Sequence, residues 1–131
     1  MMTTLPITAI TASVLGLLLI PLSVLVGATR ARKQIWFLDG SDDVLLRRMR
    51  AQGNFVEYVP IALILIALVE LGGAQAGFVA GLGGLLVAAR VTHAASILRG
   101  PQGIGRGIGA MSTILVMFLA AGWLLLAHLG G

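Results

Sequence analysis

The chain predicts an all-α fold, a four-helix bundle built into a membrane with up-down topology. Three observations carry that expectation. Four long apolar stretches follow one another along 131 residues. Charged residues make up only 11% of the chain, where a soluble domain carries about a quarter, and the mean hydropathy is +1.02. The basic residues of the connections all fall on alternate connections. One domain, 1–131, accounts for the length, with no room for a soluble module.

The first stretch, about residues 5–28, exceeds the ~20 residues needed to cross a ~30 Å hydrocarbon core. Val26-Gly27-Ala28 offers small residues of the kind found at a signal cleavage site. However, no basic residue precedes the apolar run, and the run outlasts an h-region of about 7–15 residues, so it reads as a first membrane helix. A polar connection follows, with Asp39-Gly40-Ser41-Asp42 as a turn signal. Either Ser41 or Asp42 is placed to cap the second helix.

The second span covers about residues 45–71 and carries Pro60, as the first carries Pro21; both prolines are expected to bend their helices. Gly72-Gly73 makes a very short connection, so spans two and three are antiparallel neighbours. The third span, about 74–98, has Gly77, Gly81 and Gly84 on one stripe, which suits close helix packing. Arg99-Gly100-Pro101-Gln102-Gly103 ends it. The run Gly103 to Gly109 lacks the spacing, preceding strand and following Lys-Ser/Thr of a phosphate loop. It reads as a flexible membrane-edge loop leading into the fourth span, about 108–129.

Charge orients the bundle. Arg30, Arg32, Lys33, Arg47, Arg48 and Arg50 surround the first connection, and Arg99 and Arg106 the third. The remaining connection and the tails hold no Lys or Arg. The positive-inside rule therefore puts the basic connections in the cytoplasm and both termini outside, in an inner or plasma membrane. The net charge of +4 is explained by topology and membrane lipids, and nucleic acid is not an expected partner because there is no soluble basic face to bind it. Cysteine is absent, which removes disulfides, thiolate metal sites and a cysteine nucleophile. His93 and His128 are the only histidines and have no acidic residue nearby in sequence, so no metal site is expected.

Chemistry concentrates in the first half of span two. At about 100° per residue, Arg50, Asn54, Glu57 and Tyr58 fall within about 100° of arc and share a face. Polar and charged side chains inside a span are costly and commonly mark a binding or transport site. On span three, Arg90 and His93 are three apart and share a face. Arg90 either snorkels to the membrane edge or, the favoured reading, pairs with Glu57. Glu70 is rotated about 220° from the patch and reads as an edge anchor or subunit contact. A transporter would need a polar lane through all spans, and spans one and four offer none.

Arg50-Ala51-Gln52-Gly53-Asn54-Phe55-Val56-Glu57-Tyr58-Val59-Pro60 resembles the signature of the MAPEG family, the membrane-associated proteins in eicosanoid and glutathione metabolism. Ala89-Arg90-Val91-Thr92-His93 is similar to the corresponding helix of some members, and the size, four spans and basic first connection agree. The resemblance implies a homotrimer that binds glutathione as co-substrate between subunits, with no metal. It implies conjugation or reduction of a lipophilic electrophile or lipid hydroperoxide arriving from the bilayer. By position, Arg50, Asn54, Glu57 and Tyr58 hold the tripeptide from one subunit, Arg30 and Gln52 reach in from its neighbour, and Arg90 and His93 line the floor. Arg106 matches the family's thiol-activating arginine, with Arg99 as its rival. Ile97 stands where several members carry a tyrosine. The alternative reading is a non-catalytic lipid-binding or scaffold protein on the same fold.

Overall fold

A computed structural model describes residues 4–100 and 103–130. Four helices follow in order: α1 (Pro6–Lys33), α2 (Asp43–Leu71), α3 (Ala76–Arg99) and α4 (Ile104–Leu129). They contain 28, 29, 24 and 26 residues. At a rise of about 1.5 Å per residue each exceeds a ~30 Å hydrocarbon core, and all four are apolar enough to cross a membrane. Pro101 and Gln102, expected in the turn after α3, lie outside the described residues.

Local chemistry sets the helix ends. Pro6 sits at the start of α1, where its fixed φ suits a helix and its missing N–H costs nothing. Arg30, Arg32 and Lys33 occupy the last turn of α1, facing the negative end of its dipole. Asp42 is the cap of α2, accepting from the Leu45 N–H at 2.8 Å. Lys33 also pairs with the Asp42 carboxylate. That hydrogen bond, with the one from Leu45, holds the Asp42 carboxyl below the usual range. The expected turn is present, closed by Asp42 N–H on the Asp39 carbonyl at 3.0 Å and Ser41 N–H on Asp39 Oδ1 at 3.1 Å. Gly73 takes φ +79°, a conformation open to glycine at no steric cost, and reverses the chain between α2 and α3. Both α1 and α2 run through Pro21 and Pro60 without ending.

The helices α2 and α3 form the centre. Each touches all the others, while α1 and α4 flank them on opposite sides without meeting. Phe55, Val59, Ala62, Ile66 and Val69 of α2 pack on Val79, Leu82 and Leu86 of α3, with Leu15 and Leu22 from α1 and Val116 and Ala120 from α4. The outer faces stay apolar, as with Leu17, Ile20, Met111 and Phe118, which suits lipid or another protein chain and not water.

Within the chain, two glycine segments differ from the expected arrangement. A Cβ added at Gly77, Gly81 or Gly84 would meet nothing within 4 Å, so that stripe faces out of the chain and does not mediate its packing. The close approach of α1 to α3 uses Gly83 instead, where a Cβ would stand 2.4 Å from Thr11 Oγ1. The run from Gly103 is likewise not a flexible lead-in: α4 already begins at Ile104. The reason is packing. A Cβ at Gly105 would stand 3.1 Å from Ser96 Cβ, and one at Gly109 would stand 2.6 Å from the Ala89 carbonyl oxygen. Contact with α3 thereby overrides the low helix propensity of glycine.

Candidate functional site

The signature residues of α2 open onto a cavity of about 590 Å³ between α2, α3 and the start of α4. From α2 it receives Arg47, Arg50, Asn54 and Glu57; from α3, His93 and Ile97; from α4, Arg106. Glycines and caps fix this arrangement. Asp42 starts α2, and its next two turns carry Arg47 and Arg50. Gly109, in the second turn, lets the start of α4 lie against α3 beside His93; a Cβ added there would stand only 2.7 Å from His93 Cβ. Arg106 is held in the first turn of α4. A cation there is unfavourable for the α4 dipole, so the sequence offers no local reason for an arginine at this place.

Three arginines face this cavity against one carboxylate. Arg47, Arg50, Arg106 and Glu57 make no ion pair with one another; Lys33 with Asp42 is the ion pair among the described residues. Arg50, Glu57 and Arg106 are exposed, and Arg47 is half-buried. Their charges are thus free for a ligand. Leu46, Met49 and Ile97 supply apolar wall.

Arg90 lies behind the wall, fully buried at 0% exposure, beside His93 at 3%. The favoured pairing with Glu57 does not form. Arg90 Nη2 donates to Asn54 Oδ1 at 2.7 Å, and Nη1 approaches Thr113 Oγ1 at 3.4 Å. Its guanidinium carbon sits 5.7 Å from the centroid of the Phe55 ring. Asn54 lies one turn before Glu57 and intercepts the guanidinium, leaving Glu57 to face the cavity. The bond also fixes the amide: with Oδ1 committed to Arg90, the Asn54 NH₂ group is left as a donor. Arg90 Nη2 is 3.3 Å from His93 Nδ1. A guanidinium can only donate, so Nδ1 accepts and Nε2 carries the ring proton. Among the described residues, Arg90 Nε has no hydrogen-bond partner.

The remaining sequence-predicted residues lie elsewhere. Arg30 is committed within its own chain: Nη1 donates to the carbonyls of Ile35 at 3.0 Å and Leu38 at 2.9 Å, and Nη2 reaches Met49 Sδ at 3.4 Å. Gln52 Nε2 donates to Ser23 Oγ at 3.0 Å. With the contact of Arg48 on Thr29 Oγ1, it forms a polar seam between α1 and α2. Tyr58 is half-buried and does not line the cavity. Arg99 belongs to a second cavity, about 750 Å³, on the other side of the α3–α4 hairpin. That cavity is larger but has a single charged side chain in its lining, whereas the first is lined by three arginines, a carboxylate and an imidazole. Among the described residues no group of three or more His, Asp or Glu side chains could hold a metal ion.

One site residue escaped the reading of the sequence. Sequence alone uses Arg47 only for orientation, although it precedes Arg50 by three residues and so lies one helical turn away on nearly the same face. The same arithmetic that grouped Arg50 with Asn54 and Glu57 contained the signal.

Against known proteins, the chain matches the profile of the MAPEG family over residues 8–126. It is 34% identical over 87 residues to the inner membrane protein YecN of Escherichia coli K12, and equally so to YecN of the O6:H1 strain CFT073. The matched stretch is 66% of this chain and 66% of the relative, so the chain spans about two thirds of the length of the curated relatives it matches. No solved structure matches it.

Proposed function

The chain belongs to the MAPEG family, and on that footing we propose that it is a membrane glutathione transferase, with peroxidase activity toward lipid hydroperoxides. One observation carries the reading: Arg50, Asn54, Glu57, His93 and Arg106 line a single cavity. Glutathione has two carboxylates and one ammonium. Arg50 offers a bidentate partner to a carboxylate, Glu57 a partner to the ammonium, and Asn54 an amide donor aimed by Arg90. The tripeptide enters from the aqueous side of the membrane and the lipophile from the bilayer.

Arg106 supplies the chemistry. A cation beside the thiol favours the thiolate, which is the nucleophile. The thiolate sulfur attacks an electrophilic carbon and displaces its leaving group, or attacks the terminal oxygen of a hydroperoxide, breaking the O–O bond and releasing the alcohol. In the second case a second glutathione reduces the resulting sulfenic acid, giving glutathione disulfide and water. In both, the cation compensates the thiolate charge until the bond forms. Arg106 shares the cavity with Glu57 and His93, whereas Arg99 faces the other cavity, and this supports Arg106 as the activating group. The working unit is a homotrimer in the inner membrane, with the basic connections in the cytoplasm and both termini outside. The outward-facing stripe of Gly77, Gly81 and Gly84 is available to a neighbouring copy.

A second reading, a non-catalytic lipid-binding or scaffold protein, is favoured by Ile97. It presents an apolar side chain to the cavity where several family members have a phenol. Purified protein in detergent, assayed for glutathione-dependent turnover of an aryl halide and of a lipid hydroperoxide, separates the two. Glutathione binding with turnover of either substrate supports the enzyme. Binding without turnover selects the scaffold, and absence of binding removes both the transferase and the assignment of the cavity.

A further inference from the structure

The cavity on the other side of the α3–α4 hairpin has no part in the reaction proposed above, and its lining suits a ligand of another kind. We infer that it binds the phosphate of an anionic membrane lipid through Arg99 and Ser96, with Thr92 donating to the lipid's ester carbonyl below.

The cavity holds about 750 Å³, within the ~300–1,000 Å³ of small-molecule sites. It lies where α3 ends, at the same edge of the bundle as the basic last turn of α1. Thr92, Ser96 and Arg99 all line it. They follow one another at four and three residues, so they stack on one face of α3. Two glycines at the start of α4 keep that face clear. A Cβ added at Gly103 would overlap the Ser96 hydroxyl, and one at Gly105 would stand 3.4 Å from Thr92 Cγ2.

These donors are uncommitted. Thr11, Ser13, Thr29 and Thr113 each donate to the carbonyl four residues before them, which satisfies a hydroxyl inside its own helix. Among the described residues, Thr92 and Ser96 make no such bond, and Arg99 is in no ion pair. A guanidinium beside hydroxyls is a set of donors matched to phosphate oxygens. Charge and depth then select the ligand. The lining holds Arg99 and no carboxylate. One arginine balances the single charge of a phosphodiester, whereas the ammonium of a zwitterionic headgroup finds no partner there. Thr92 lies a turn deeper than Ser96, about 6 Å farther into the membrane. A lipid held by its phosphate at Ser96 and Arg99 brings its ester carbonyls to that depth, and a free phosphate does not reach it. Val91 and Ala95 line the same wall and suit the start of an acyl chain. Basic pockets between spanning helices commonly take anionic headgroups in this way.

Native mass spectrometry of delipidated protein in detergent tests this. The titrants are phosphatidylglycerol, phosphatidylethanolamine with the same acyl chains, and inorganic phosphate. Wild type is expected to bind phosphatidylglycerol about tenfold more tightly than phosphatidylethanolamine, the worth of one charge-assisted contact. Inorganic phosphate is expected not to displace it. Arg99→Gln is expected to bind the two lipids alike, and Ser96→Ala and Thr92→Val to weaken phosphatidylglycerol by less. Arg32→Gln removes the same charge from an exposed position at the same edge and is expected to keep the preference. The wild-type comparison needs no mutation, so a folding defect in a variant cannot mask the answer. Equal wild-type affinity for the two lipids, or binding of neither, overturns the inference. So does displacement by phosphate at equal concentration, which makes the ligand a soluble anion. A loss in Arg32→Gln as large as in Arg99→Gln also overturns it, because the preference is then one of surface charge. Glutathione enters none of these measurements, so their failure leaves the proposed function standing.

Discussion

Glu57 and Glu70 sit thirteen residues apart on α2, and their surroundings differ in every respect that matters. Glu70 is saturated. Its Oε1 accepts from the Ile7 N–H at 2.9 Å, and its Oε2 from the Thr8 N–H at 2.8 Å and the Thr8 hydroxyl at 2.6 Å. The residue before α1, Leu5, makes no side-chain cap, so Glu70 acts as the cap of a helix more than sixty positions away. It satisfies N–H groups that would otherwise be orphaned at a membrane edge and places a negative charge at the positive end of a dipole. Glu57 is exposed in a cavity among three arginines and pairs with none of them. A carboxylate whose two oxygens are both held by hydrogen bonds from another helix belongs to the architecture. One that faces cations across open space is available for a ligand. The two ends of one helix thus separate a carboxylate that holds the bundle together from one left open to a ligand.

The largest effect expected on this contrast comes from removing the saturated carboxylate. Glu70→Ala should lower stability by about 1–3 kcal/mol, because the N–H groups of Ile7 and Thr8 lose their acceptor, while glutathione affinity stays within twofold. Denaturant unfolding in detergent followed by far-ultraviolet circular dichroism measures the first, and calorimetry the second. A Glu70→Ala protein that binds glutathione as poorly as Glu57→Ala would erase the distinction.

Glu57→Ala should do the reverse. Glutathione binding should weaken by more than about tenfold, or about 1.4 kcal/mol, with the unfolding midpoint unchanged. Arg50→Ala should match it, since each leaves a ligand charge without its partner. A shifted midpoint with intact binding would assign Glu57 to the framework.

Arg106→Ala probes the chemistry without touching the carboxylate partners. The apparent pKa of bound glutathione should rise and turnover at neutral pH should fall, with a smaller effect on binding. Raising the pH should restore part of the rate, because thiolate then forms unaided. Thiolate absorbance titrated in the wild type, Arg106→Ala and Arg99→Ala makes the comparison direct. If Arg99→Ala shifts the curve and Arg106→Ala does not, the reacting sulfur lies in the other cavity.

The smallest effect belongs to Asp42, an architectural carboxylate outside the spans. Its carboxyl is held below the usual range, by Lys33 first and the Leu45 N–H second. A depressed folded-state value means that its contribution is present above the unfolded-state value and is lost as pH falls through the lowered one. Asp42→Asn should keep the cap, since asparagine caps as well as aspartate, and should remove the ion pair. Unfolding midpoints of the variant and wild type should differ slightly at neutral pH and converge in acid. A gap that persists in acid would mean that the cap, and not the charge, was lost.

Much of this was determined by the sequence alone. Apolar stretches long enough to cross a bilayer can do little but form helices, because lipid offers no partner for a free N–H or C=O. Four spans, a cap at Ser41 or Asp42 and the short Gly72-Gly73 reversal were therefore legible from local chemistry, and the periodicity of one helix grouped Arg50, Asn54, Glu57 and Tyr58, of which Tyr58 does not line the cavity. What lay between helices was not legible. Whether Arg90 meets Glu57 or Asn54, whether Gly83 or the Gly77 stripe lets helices approach, and which helix end Glu70 satisfies all depend on how the helices are rotated about their axes. Apolar side chains on every face leave that rotation weakly specified by sequence, since lipid and core reward the same residues. Only packing fixes it, through close contacts such as Gly109 on Ala89 and His93, and packing thereby decided that Arg47 and Arg106 share a cavity while Arg99 faces another.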